Sequence, residues 1–389
     1  GKQVVFSMKH EADDKYHVWI ADVAAGPKGD HNLRQLTFGK TRDDVMPIFV
    51  PGDRIAFVTN QPYTPMGTRA DEYEHATVVS QIATISVTGG DLAFTGTVGP
   101  DMDLSTVGGN VDVTGSTTFH QTGDIWTDNI VSGTFIEMTT DSAKFIETDE
   151  LHSGTSTYLF GSGARVQSTW TAGTDATIEA LDALVDLGGN ATVGGNFRST
   201  GPGSNSTFDN TGTTLTTTGS THIEHGGAVA IGSINSGTSL YVETYGASNT
   251  FEAFNDVTSG TWMTIIAPGG ITVNSPVQAG SDVTLTAVNG LIDINTPLTL
   301  TSGNLTTTSI DLENTDGPIM LPGNFTMNHG GSILLDNDVT VTGSTSTISF
   351  SNNPALTIRS ADVTMHNAPG SGSLLNFSGG VVGWVIEES

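Results

Sequence analysis

The chain has 389 residues, of which 36% are hydrophobic and only 14% charged, with 48 glycines and a formal net charge of −28. That acidity excludes a phosphate-neutralising nucleic-acid partner and disfavours an anionic membrane surface. The absence of cysteine excludes disulfides, Cys-ligated zinc, iron–sulfur clusters and covalently attached haem. No apolar run reaches the roughly 18 residues of a membrane span. The chain opens on the polar "GKQVVFSMKH", which carries no secretory leader, so it reads as a processed form or a fragment.

In chain order, the predicted elements begin with short strands. "VVFSM" (4–8) and "HVWIADV" (17–23) are apolar runs separated by the polar "KHEADDK", and "LRQLTFG" (33–39) follows. "MPIFVPGDRIAFVTN" (46–60) reads as two strands around a Pro-Gly turn. These residues resemble the PD40 (TolB-type) propeller repeat. The longer run 46–91 is similar in style to the propeller part of proteins related to the hydrazine synthase alpha subunit. The resemblance implies about one propeller blade and part of a second, where a propeller needs roughly four to eight. The c-type haem chemistry of that family is not carried over, because the Cys-x-x-Cys-His motif is missing. A lone blade leaves its faces uncovered, so it is expected to pack on the remainder of the chain or on a partner.

Near Gly89-Gly90 the style changes. Residues 1–80 hold nine Lys/Arg against eleven Asp/Glu; residues 81–389 hold four Lys/Arg (Lys144, Arg165, Arg198, Arg359) against thirty Asp/Glu. We therefore divide the chain into a propeller-blade-like β segment, 1–90, serving as an N-terminal cap, and a repeat region, 91–389. "ATISV" at the junction is expected to be a strand that continues the blade into "LAFTGTV".

Beyond the junction, alternating apolar runs such as "NVDVTG" (110–115), "GGITVNSPV" (269–277), "DVTLTAV" (282–288) and "SILLDNDVTVTG" (332–343) predict strands with one buried face. "GGITVNSPVQAGSDVTLTA" and "NGLIDINTPLTLTSGNLTT" begin twenty residues apart and share a turn, strand, Asn-x-Pro, strand order. A period near 20 predicts a parallel β-solenoid, all-β, of about 15 coils and a length on the order of 70 Å. Residues 120–185 read as less regular, and "DATIEALDALVDLGG" (175–189) as strand and turn, with a short helix or a capped coil as the alternatives. The region resembles filamentous-haemagglutinin-type secreted β-helices, which implies an extracellular rod.

No catalytic or cofactor residue is assigned. A lyase of this shape needs a basic catalyst, and four basic residues over this region make that hard; a glycoside hydrolase needs only two carboxylates. Calcium is the one cofactor considered, through the acid-rich loops "GPDMDL" and "LENTDG", with Asp101, Asp103, Asp311, Glu313 and Asp316 as candidate ligands. In "HIEH", His222 and Glu224 fall on one side of a strand and His225 on the other, too few ligands for zinc without help from a neighbouring coil. "MGTRADEYEHA" (66–76) reads as an ion-paired loop. Five glycosylation sequons (Asn190, Asn205, Asn304, Asn324, Asn376) are what chance gives in this composition. The expected function is a non-enzymatic extracellular structural or adhesive protein: an adhesin, surface-layer or fibre subunit whose partners are its own copies, a cell-surface protein or a glycan. The alternatives are a carbohydrate-active β-helix enzyme and a viral tail fibre or spike.

Overall fold

The computed structural model describes residues 110–342 throughout, and outside them 3–10, 15–22, 33–35, 44–50, 54–59, 84–87, 92–95, 102–104, 347–351, 355–359, 363–365, 374–378 and 383–387. The loop 66–76 and Asp101 lie outside the described residues, and Asp103 is described only as strand backbone. Every regular element among the described residues is a strand; none is a helix long and apolar enough to cross a membrane. The chain forms two compact units, Gly1–Asp141 and Ser142–Ser389.

The first unit begins with antiparallel sheets. Strand Gln3–His10 pairs with Lys15–Asp22, which pairs with Arg34–Gln35, and Asp44–Val50 pairs with Arg54–Thr59. From Thr84 onward the pairing becomes parallel. Thr84–Val87 pairs with Asn110–Val113, so "ATISV" joins the parallel ladder rather than an antiparallel continuation of the preceding sheet. Leu92–Thr95 and Thr117–His120 stack in register with Ile136–Thr139.

The second unit is a parallel β-solenoid with three strands per coil. Face one stacks Gly163–Val166, Val185–Leu187 and their successors; face two stacks Trp170–Ala172, Ala191–Val193 and theirs; face three stacks Ala176–Ala180, Phe197–Gly201, Thr221–His225 and Leu240–Thr244. The alternating sequence dictates this arrangement. Ala176, Ile178 and Ala180 point inward and are buried, while Thr177 and Glu179 point out. Each fully buried Leu, Ile or Val side chain contributes about 1.5–3 kcal/mol. Volumes complement one another across coils. Trp170, Phe197 and Phe208 fill the interior beside Ala164, Ala172, Ala176 and Ala191, their rings meeting edge-on at 5.9 and 6.1 Å.

The step along face one from Ile271 to Ile292 is 21 residues, and from Val185 to Phe208 it is 23. Among the described residues the parallel sheet stacks about 11 turns, against the 15 expected from a strict 20-residue period over the whole repeat region; coil steps that mostly exceed 20 residues account for part of the difference. The Asn-x-Pro repeat marks a corner: the Asn295 amide donates to Asn274 Oδ1 at 3.1 Å, stacking one repeat on the last. Residues 120–185 prove regular, with Phe145–Ser153, Thr157–Gly161, Gly163–Val166, Trp170–Ala172 and Ala176–Ala180 all in ladder positions. The stretch 175–189 is strand, turn and strand, as read from the sequence.

Glycine recurs at the corner between faces two and three for a steric reason. A Cβ on Gly260 would lie 2.0 Å from the carbonyl oxygen of Gly237, and one on Gly280 would lie 2.0 Å from that of Gly260. The chain turns so tightly there that each coil's backbone rests on the one below.

Candidate functional site

The densest set of functional side chains on the second unit lies on the outward side of face three, and it grows from the "HIEH" strand. Parallel register stacks Arg198, His222 and Tyr241 in one column; two residues along the strands, Thr200, Glu224 and Glu243 form the next. His222 Nε2 lies 2.9 Å from Glu224 Oε2, and an Arg198 guanidinium nitrogen lies 3.7 Å from the same oxygen. The His222 and Tyr241 rings stack with centroids 4.8 Å apart and planes 19° from parallel. The Tyr241 hydroxyl donates to Glu243 Oε2. Burial, that hydrogen bond and the charges of Glu243 and Glu224 together push the Tyr241 hydroxyl pKa up, so it stays protonated and keeps donating.

The sequence placed His222 and Glu224 on one side and His225 on the other, and the structure agrees. The neighbouring coils supply Arg198, Tyr241 and Glu243 to the pair. His225 points into the solenoid and is fully buried. Its Nε2 meets Ser199 Oγ at 2.9 Å and its Nδ1 meets Ser206 Oγ at 2.8 Å, while its ring lies 5.9 Å from that of Phe208. His329 repeats the device five coils on, with Nε2 2.9 Å from Thr307 Oγ1 and Nδ1 2.7 Å from Ser309 Oγ.

Of the calcium candidates, Asp311, Glu313 and Asp316 lie among the residues described with side chains. Asp311 accepts from the Ser332 amide at 2.6 Å and its hydroxyl at 2.7 Å, which makes it a corner clamp. Glu313 stands in the strand Leu305–Asn314, not in a loop, and Asp316 follows in the turn. Among the described residues no three His, Asp or Glu side chains gather closely enough to hold a metal ion. Arg165, one of the four basic residues of the repeat region, bridges coils on face one, with Nε 2.8 Å from Asp186 Oδ2 and a terminal nitrogen 3.8 Å from Glu147.

The polar columns continue along the stack. Tyr241 is followed by Thr264, Thr284, Thr306 and Thr326 in register, and the adjacent column passes from Glu243 through Ile266 to Thr286, Thr308 and Asn328. On face two, Thr171, Thr192, Thr216, Asn235 and Thr258 form another column. Sequence reasoning singled out His222 and Glu224 but missed Arg198, Tyr241 and Glu243. The available signal was their common strand position in successive repeats. No family model, curated protein or solved structure matches the chain.

Proposed function

We propose that the chain is a non-enzymatic extracellular structural or adhesive protein whose outward solenoid faces meet a glycan, a cell-surface protein or another copy of the chain. The observation that supports this reading is the outward side of face three. Its charged and aromatic groups brace one another, Glu224 between Arg198 and His222, and Glu243 under Tyr241. They lead directly into an in-register threonine ladder. Side chains already held in place lose little entropy when a ligand arrives, and this favours recognition. The test is retention of the labelled full chain on whole cells and on immobilised glycans, with light scattering of the concentrated protein. Retention or concentration-dependent assembly supports the proposal. A strictly monomeric chain that no surface retains overturns it.

One observation favours a second reading. Glu224 and Glu243 occupy the same register position on adjacent strands, beside a basic residue. Two carboxylates on neighbouring rungs, about 4.8 Å apart at the backbone, are the minimum equipment for glycoside cleavage. Release of new reducing ends from a glycan, abolished in Glu224→Gln or Glu243→Gln, would establish turnover in place of adhesion.

A further inference from the structure

We infer that face three binds an extended neutral glycan lying along the stack of coils, across the Arg198–His222–Tyr241 column and the threonine column beyond it. The inference rests on the adhesive reading and names its ligand. Three observations converge. The first is spacing. Parallel strands repeat at about 4.8 Å, close to the length of one pyranose ring in an extended polysaccharide, so each coil presents its outward side chain to about one sugar. Register is unbroken from Arg198 to Thr326, so the match accumulates instead of drifting.

The second is chemistry. Vicinal sugar hydroxyls both donate and accept hydrogen bonds. Face three offers carboxylate acceptors in Glu224 and Glu243, a guanidinium donor in Arg198, which is exposed, and half-buried threonine hydroxyls that do both. The outward edges of the stacked His222 and Tyr241 rings add apolar surface for the sugar C–H groups. The third is charge. Glu179, Glu224 and Glu243 share one column position on this face against the single guanidinium of Arg198, and the chain as a whole is strongly acidic. Uronate and sulfate polymers are repelled, and neutral glycans are not.

The experiment is isothermal titration of the full chain with cello-, manno-, malto- and xylo-hexaose, and with the carboxymethylated form of whichever binds. At least one neutral hexaose is expected to bind, and its carboxymethylated form about tenfold more weakly. Tyr241→Ala, and separately the pair Thr284→Val with Thr306→Val, are each expected to weaken binding about tenfold at an unchanged melting temperature. The paired variant keeps the volume of each side chain and so guards against a folding artefact. Silence with all four hexaoses, equal binding of the carboxymethylated form, unchanged affinity in both variants, or displacement of the glycan by spermine each overturns the inference. Adhesion to cells that persists without hexaose binding sinks this inference alone. Loss of both removes the adhesive reading with it.

Discussion

Acidification is expected to unfold the solenoid through two interior histidines. His225 and His329 are both fully buried, and burial pushes each ring's pKa from 6.5 down to about 4. At His329 the Ser309 hydrogen bond and the charge of Asp311 oppose part of that push. A neutral ring donates to one clamping hydroxyl and accepts from the other; a protonated ring has two donors and no acceptor, so one hydroxyl must turn away. In the unfolded chain each ring titrates near 6.5, so below that value the unfolded state takes up protons that the folded state refuses. Stability is therefore full above about pH 6.5 and falls as the pH drops towards 4. A gap of roughly 2.5 pH units at about 1.36 kcal/mol each makes the loss about 3 kcal/mol per histidine. Between about pH 6 and pH 5 the two together contribute a slope of about 2.5 kcal/mol per pH unit. The assay is urea unfolding of wild type and His225→Gln across that window. The variant starts less stable, because it loses the packed ring, but its slope should be about half that of wild type. An unchanged slope would refute the claim that His225 is held neutral by its surroundings.

Two further perturbations test how the coils rest on one another. Gly260→Ala drives a methyl group to 2.0 Å from the Gly237 carbonyl oxygen and is expected to cost more than about 3 kcal/mol in thermal melts. Gly330→Ala, whose new Cβ meets nothing within 4 Å, should change stability by less than about 0.5 kcal/mol. Arg165→Gln removes the bridge between Glu147 and Asp186 and leaves like charges stacked on face one. It should cost under about 1 kcal/mol in low-salt denaturation, and added salt should shrink the deficit, because these groups are partly exposed.

The amino-acid pattern by itself determined that the chain is all-β, and which side of most strands faces inward. The two-residue alternation of runs such as "DVTLTAV" leaves a buried stripe that only a packed sheet satisfies, and the strand Val283–Ile294 buries Val283, Leu285 and Ala287 accordingly. The same alternation separated His225 from His222 and Glu224. Register was decided only in three dimensions. It depends on the summed lengths of irregular turns such as 202–207, and one residue more or less moves every contact between coils. Arg198, His222 and Tyr241 stand 24 and 19 residues apart, and nothing local ties them together; stacking does. The corner glycines look like ordinary turn residues in sequence, yet what demands them is the backbone of the coil beneath. Ser199 and Ser206 are unremarked polar residues in sequence, and they become the partners of a buried ring only once Thr221–His225 lies on Phe197–Gly201. Alternation is a property of one strand and can be read from it, whereas a face of a solenoid is made by many coils and exists only when they stack.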